Sequence, residues 1–325
     1  IPFTTFYGSA DAYYKYDFSK IDNSLSSFTN SHNSFELGMA SIEALHKMDK
    51  GSVFVDLGFG NRAAQFTYND GVKTFIIKQL NFTYKFSDKF KVTLGSFATH
   101  VGYELVDAVD NKNYSMSYAF TYGPFFNTGI KVQYTSNKFS FMAGVSNPTD
   151  LKSTIDAGST QKTFIGQLAF LGDTGSAYFN VTSGSSNPSS DENKTQFDFV
   201  GKKKLSKAFS LGFNGTYALT TNDLDSALDG EWFSLVGYVN FIVKESSSVA
   251  YRLEYLDAKQ ATDRLGLLTG TSVIGNTLSL NYKVGNLTII PEFRFDIASE
   301  DIFTDSNAAP KGLTAYALLA TTYSF

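Results

Sequence analysis

Taken two residues at a time, this sequence splits into an oily half and a polar half along most of its length. In LTIIPEFRFDI (287–297), Ile289, Pro291, Phe293, Phe295 and Ile297 share one parity, and Glu292, Arg294 and Asp296 take the other. FYGSADAYYKYDF (6–18) and TLSLNYKV (277–284) divide in the same way. A β-strand sends successive side chains to opposite faces, so each run reads as a strand with one apolar and one strongly polar face. Sixteen such runs can be counted, near 6–18, 34–48, 52–66, 74–86, 90–102, 126–136, 138–147, 162–171, 174–184, 194–204, 208–220, 231–243, 247–258, 273–285, 287–298 and 313–325. Most are about twice the usual soluble strand of about 5–6 residues.

The connections alternate between short and long. DKG (49–51), SDK (87–89) and Gly285–Asn286 are tight, whereas 19–33, 103–125, 148–161 and 299–312 are long and rich in Ser, Asn, Asp, Thr and Gly. Transmembrane barrels have this rhythm, with short periplasmic turns, longer outer loops and an even strand number. About 9–11 tilted residues cross the hydrocarbon, so each run is long enough to span. The expectation is an all-β chain: a sixteen-stranded antiparallel transmembrane barrel occupying residues 1–325 as a single domain, with both termini periplasmic. A soluble propeller or sandwich is the competing architecture, and the long strands argue against it. Sixteen strands close around water rather than side chains, which directs the polar parity inward and the aromatic parity, drawn from 31 Phe and 19 Tyr, toward lipid.

Composition excludes several classes. The net charge of −4 gives no electrostatic case for nucleic acid. The absence of Cys removes disulfides, thiolate nucleophiles and cysteine metal sites. No apolar stretch is long enough for a spanning helix. The chain opens on IPFTTFYG, as a mature protein would after removal of a secretory signal.

Parity assigns charges of both signs, in nearly equal number, to the interior wall. Asp11, Lys15, Lys131, Arg252, Glu254, Glu292, Arg294 and Asp296 are the candidate pore-lining set. A Lys or Arg facing lipid would cost about 2–4 kcal/mol at the midplane, which enforces the placement. Such a wall forms either a transverse field or a set of bracing salt bridges, and its near balance predicts weak ion selectivity. The longest connection, 103–125, follows the fifth strand, where general porins by analogy fold a segment inward. Asp107, Asp110, Lys112 and Tyr118 are its candidate constriction residues; its aromatics suit packing against an inner wall better than solvent. The final strand ends on Tyr323 and Phe325. An aromatic C-terminal strand of this kind resembles the signal read by the barrel-assembly machinery, and it equally fits an interfacial aromatic girdle.

The phrases FATHVGYE (97–104), NYSMSY (113–118) and GPFFNTGIKV (123–132), with looser agreement in IKQLNFTYKF (77–86), resemble the OmpL-like, type-2 outer-membrane β-barrel porin family of Bacteroidota. The resemblance implies a barrel and a pore in a Gram-negative outer membrane, and no catalytic residue. An enzyme would need a His beside a Ser or acid. Of three His only His100 lies near a plausible site, and neither a GxSxG elbow nor a His-rich metal cluster is present. Acidic loops at 221–231 and 299–306 could hold Ca²⁺, but without the spacing of a dedicated loop. The expected function is passive diffusion of small hydrophilic solutes, without cofactor or metal. Outer-membrane lipid and lipopolysaccharide are the expected surroundings. The alternative is an accessory barrel of a larger outer-membrane assembly, or a homo-oligomer, packed through small residues such as Gly8, Ala10, Ala12, Ala315 and Ala317.

Overall fold

The computed structural model describes residues 2–68, 76–154, 161–185, 191–260 and 263–325. Sixteen antiparallel strands form a closed barrel, each paired to its neighbours in sequence. They are β1 Phe3–Asp17, β2 Ser34–Lys47, β3 Gly51–Phe59, β4 Ile77–Lys85, β5 Phe90–Ala98, β6 Phe126–Thr135, β7 Phe139–Ser146 and β8 Thr163–Gly172. The second half is β9 Gly175–Ser185, β10 Glu192–Lys204, β11 Phe209–Asn222, β12 Gly230–Lys244, β13 Ser247–Gln260, β14 Ser272–Val284, β15 Leu287–Ala298 and β16 Leu313–Ser324. Phe303–Thr304 pairs with Pro310–Lys311 as a small ribbon in the loop before β16.

β16 closes the barrel on β1, with Asp11 opposite Thr322 and Asp17 opposite Tyr316. Gly8 and Phe325 exchange two backbone hydrogen bonds of 3.0 Å, so the last residue continues the seam. A Cβ on Gly8 would lie 2.5 Å from the Phe325 ring, and the bare glycine gives that ring its place. Closure satisfies the strand N–H and C=O groups that hydrocarbon could not solvate.

The barrel is inside-out relative to a soluble domain. Phe35 is 85% exposed and Phe6 71%, whereas Arg252, Lys15 and Lys78 are fully buried. Exposed Phe, Leu and Tyr side chains form the outer surface on the parity opposite the wall charges, as the alternation predicts. None of the described helices is long and apolar enough to cross a membrane.

One run departs from the period-two reading. The 52–66 segment is strand only to Phe59; the chain then turns at Gly60 (φ +114°) into a short helix, α1 Asn61–Phe66. A Cβ at Gly60 would sit 2.6 Å from the Gly38 carbonyl oxygen. Arg62, Ala63 and Phe66 are the buried residues of α1. Their i, i+1, i+4 spacing is a helical face, which a count by parity passes over.

Candidate functional site

The connection from β5 to β6, residues 99–125, lies inside the barrel and crosses it. Beyond β5, the Gly102 N–H donates to Asp198 on β10 at 3.1 Å. Tyr103 then stacks on Tyr238 of β12, with ring centroids 4.0 Å apart. Glu104 accepts from Arg252 of β13 at 2.8 Å. On the opposite wall Asp107 accepts from Lys78 of β4 and from Ser41 of β2, each at 2.7 Å. The segment then returns along β14 and β15. Asn113 donates to Ser279 at 2.7 Å, and the Tyr114 N–H to Glu292 at 2.7 Å. One helical turn follows, α2 Tyr118–Thr121, with the Ser117 side chain capping it through the Phe120 N–H.

An irregular segment buried in this way has backbone groups that no sheet ladder can satisfy. The wall charges satisfy many of them. Glu292 accepts the Tyr114 and Ser115 N–H groups, and Glu254 accepts the Tyr118 N–H. Arg252 donates to the Ser115 and Met116 carbonyls, and Arg294 to the Met116 carbonyl. The charges also pair with one another: Arg252 with Glu254 at 3.3 Å, Arg294 with Glu254 at 3.1 Å and with Asp296 at 2.9 Å. Register makes this possible. Arg252 lies opposite Thr277 and Arg294 opposite Thr277 from the other side, while Glu254 and Asp296 flank Gly275. A side chain at Gly275 would occupy the space of both carboxylates.

Of the pore-lining candidates, Arg252, Glu254, Glu292, Arg294 and Asp296 therefore face the interior beneath the loop, all nearly fully buried. Asp11 bonds the Tyr114 hydroxyl and pairs with Arg62 of α1 at 3.8 Å. Lys15 is buried under the first long loop, bonded to Asp22 at 2.7 Å and to the Thr29 carbonyl at 3.0 Å. Lys131 alone in the set lies apart, on β6, partly buried with its ammonium 3.8 Å from the centre of the Phe97 ring. Among the constriction candidates, Asp107 and Tyr118 are anchors. Tyr118 donates to Asp296 at 2.7 Å, and burial, followed by that carboxylate's charge, pushes its phenol well above 10. Burial and the Asp107 charge hold the Asp110 carboxyl above the usual range. The Lys112 carbonyl accepts from Asn281 at 2.9 Å. Tyr323 and Phe325 are exposed on the outer surface near the seam, their ring centroids 6.4 Å apart.

Lys78, Glu104 and Arg62 complete the clamp, and parity did not single out the first two. Lys78 sits one residue off the inward parity of β4 because of a register shift between Asp56 and Leu57 on the neighbouring strand. Glu104 lies in the loop, where no period applies. Arg62 lies between the rings of Phe28 and Tyr114, at 4.7 and 5.0 Å.

Apolar side chains seal the long-loop end on this side. Phe28, Phe66, Met116, Phe120, Phe125 and Phe126 form one buried cluster, and Tyr118, Trp232, Leu256 and Val273 belong to another. Toward the short-turn end the loop instead roofs a cavity of about 420 Å³ lined by Tyr103, Lys112, Lys202, Tyr238 and Lys283 among others. The acids of the Ca²⁺-candidate loops serve local turns: Asp225 accepts from the Ala227 N–H, Asp229 from Asn222 and Asp305 from Asn307.

The second root of the inward loop depends on Asp150, in the connection after β7. Its carboxylate accepts the Phe125 and Phe126 N–H groups at 2.7 and 2.9 Å and the Tyr68 hydroxyl at 3.2 Å. Burial outweighs these bonds and raises its pKa to about 6. A raised carboxyl pKa favours the folded state when protonated. That contribution is present below the ordinary value of 3.8 and is lost as pH rises through about 6. The melting temperature of the native protein relative to Asp150→Asn should therefore rise between pH 7 and pH 4. An unchanged difference would remove Asp150 from the loop's pH response.

Known structures share this architecture at low sequence identity. The anion-selective porin from Comamonas acidovorans superposes with a TM-score of 0.66 at 9% identity, covering 100% of both chains. OmpT, an outer membrane protein of Vibrio cholerae in its trimer form, gives 0.63 at 11% identity over 100% of this chain and 99% of its own. The outer membrane channel DcaP of Acinetobacter baumannii gives 0.61 at 12% identity over 100% and 97%. No curated protein matches the sequence. At these identities the superpositions show the fold; the family follows from the sequence itself. The model described as "Putative beta-barrel porin-2, OmpL-like" matches residues 4–325, and the chain belongs to that family of bacterial outer-membrane porins.

Proposed function

We propose that the chain, as one barrel domain, lets small hydrophilic solutes diffuse passively across the outer membrane, through the part of the lumen that residues 99–125 leave open. The observation that carries this reading is the inward loop itself. It is clamped at Asp107 to Lys78 on one side of the lumen and at Glu104 to the Arg252–Glu254–Arg294–Asp296 group on the other, which fixes a constriction across a barrel wide enough to hold water. In this reading the short turns and both termini face the periplasm, the long loops face outward, and Tyr323 with Phe325 marks the strand for assembly. The outer apolar band meets lipid and lipopolysaccharide. Solute choice is steric and electrostatic, requires no bound group, and involves no catalytic step.

Purified protein in planar bilayers should give steady, near-ohmic single-channel currents, and liposomes containing it should swell in small sugars faster than in large ones. Silent bilayers and unswollen liposomes would instead support a plugged barrel serving a larger outer-membrane assembly.

A further inference from the structure

The interior wall is not uniform in charge. Among the described residues, many charged groups at mid-barrel beneath the inward loop and the first long loop have an opposite partner, as in Lys15–Asp22, Arg62–Asp11, Lys78–Asp107 and Arg252–Glu104. The strands that carry the other half of the circumference differ. From β4 to β9, none of the six strands contains an Asp or Glu. Apart from Lys78 at the start of β4, which anchors Asp107, their interior face carries Lys85, Lys91 and Lys131, with Thr83, Thr93 and Gln133 between them.

Register brings these lysines together. Lys85 lies directly opposite Lys91, and Thr93, the next inward residue along β5, lies directly opposite Lys131. Directly opposed residues have Cβ atoms about 5 Å apart, and like charges so placed destabilise a sheet. None of the three has an ion pair among the described residues, and the charges acting on Lys91 and Lys131 are those of other lysines. Lys131 is held over Phe97 where the inward loop leaves the wall. The nearest titratable loop residue there, His100, adds no negative charge. Burial, reinforced by the Lys131 ammonium, lowers its pKa to about 4, and its Nε2 bonds the Val181 carbonyl at 3.0 Å. The carboxylate facing this side from β10, Asp198, is buried and bonded to Asn180, Asn214 and the Gly102 N–H.

We infer that the uncovered half of the lumen is an anion path, with Lys85, Lys91 and Lys131 as successive sites for small inorganic or carboxylate anions. This rests on the porin reading and gives it a charge preference. A count of wall charges misses it because the loops pair the carboxylates with the arginines, Lys15 and Lys78, and leave Lys85, Lys91 and Lys131. A row of cations along one wall of a narrow passage concentrates anions and excludes cations, an effect that weakens as salt rises. The fixed backbone spacing suits halide, phosphate and short mono- or dicarboxylates, which can pass from one ammonium to the next.

The test is the reversal potential of single channels under a KCl gradient, for the native protein and for Lys91→Glu/Lys131→Glu. Both substitutions replace lumen-facing polar groups that make no structural ion pair, so the barrel should still form; heat-modifiable migration on gels checks this. The native channel should reverse toward the chloride equilibrium potential, and the double variant should shift toward that of potassium. Lys91→Gln/Lys131→Gln should fall between them. A native channel that conducts but prefers potassium, or a reversal potential unmoved in correctly folded variants, would overturn the anion path while leaving the porin. Absence of any current would overturn the porin reading and the anion path with it.

Discussion

Deleting residues 106–122 should raise single-channel conductance several-fold. This span contains most of the material that bridges the barrel: Asp107 on the Lys78 side, and Tyr114, Ser115, Met116 and Tyr118 on the Arg252–Arg294 side. Its removal uncovers Arg252, Glu254, Glu292, Arg294 and Asp296 to water and not to lipid, because they point inward. Charges that regain hydration need no new partner, and their mutual salt bridges persist. The barrel should therefore close as before, since its strand ladder does not involve the deleted residues. The charge preference should fall at the same time, because the newly exposed wall carries carboxylates. Conductance equal to that of the intact chain would mean that the loop does not limit the passage.

Replacing Arg252 should have the largest effect of any single substitution on loop docking. Its guanidinium donates to Glu104, to the Ser115 and Met116 carbonyls and to Thr277, and it faces Glu254. Arg252→Ala leaves the buried Glu104 carboxylate without its cation and the Ser115 carbonyl without its donor, while Glu254 and the Met116 carbonyl keep only Arg294 of their two arginines. Removing one member of a buried ion pair costs about 3–5 kcal/mol. The cost should fall on the loop, because the strand hydrogen bonds of β13 are backbone to backbone. Amide exchange at Tyr114–Tyr118 should accelerate by orders of magnitude while β13 and β14 remain protected, and single-channel current should become noisy. Arg252→Lys should restore only part of the protection, since one ammonium cannot reproduce the planar fork of donors. Loop protection unchanged in Arg252→Ala would show that the aromatic packing of Tyr118 and Phe120 holds the segment by itself.

The barrel was legible because its physics has a short period. Lipid outside and water or buried polar groups inside impose alternation on every strand. Runs such as 287–297 and 277–284 therefore read correctly without any knowledge of their neighbours. The helix at Asn61–Phe66 broke that period and was absorbed into the preceding run. The inward course of the long loop was foreshadowed by its aromatics, since Tyr118, Phe120, Phe125 and Phe126 are buried and Tyr122 is half-buried. Its partners were not legible. Glu104 meets Arg252 and Tyr118 meets Asp296 across 148 and 178 residues of chain, and no local pattern encodes such contacts. The balanced tally of wall charges also concealed their separation into a paired, covered side and a lysine side. That separation depends on which strands the loop lies against. The one signal available in advance was the run of strands from β4 to β9 without an acid.

The division of the lumen can be tested in one recording. The chain has no cysteine, so a single introduced thiol is the only one present. Lys131→Cys places it on the uncovered wall, and Thr277→Cys places it beneath the loop, where Thr277 is fully buried. A small charged thiol reagent added during single-channel recording should reduce the current through Lys131→Cys in one step and leave Thr277→Cys unaffected. After deletion of residues 106–122, Thr277→Cys should become reactive as well. Modification of Thr277→Cys in the intact loop background, with Lys131→Cys silent, would place the water path on the opposite side of the barrel and contradict the arrangement described above.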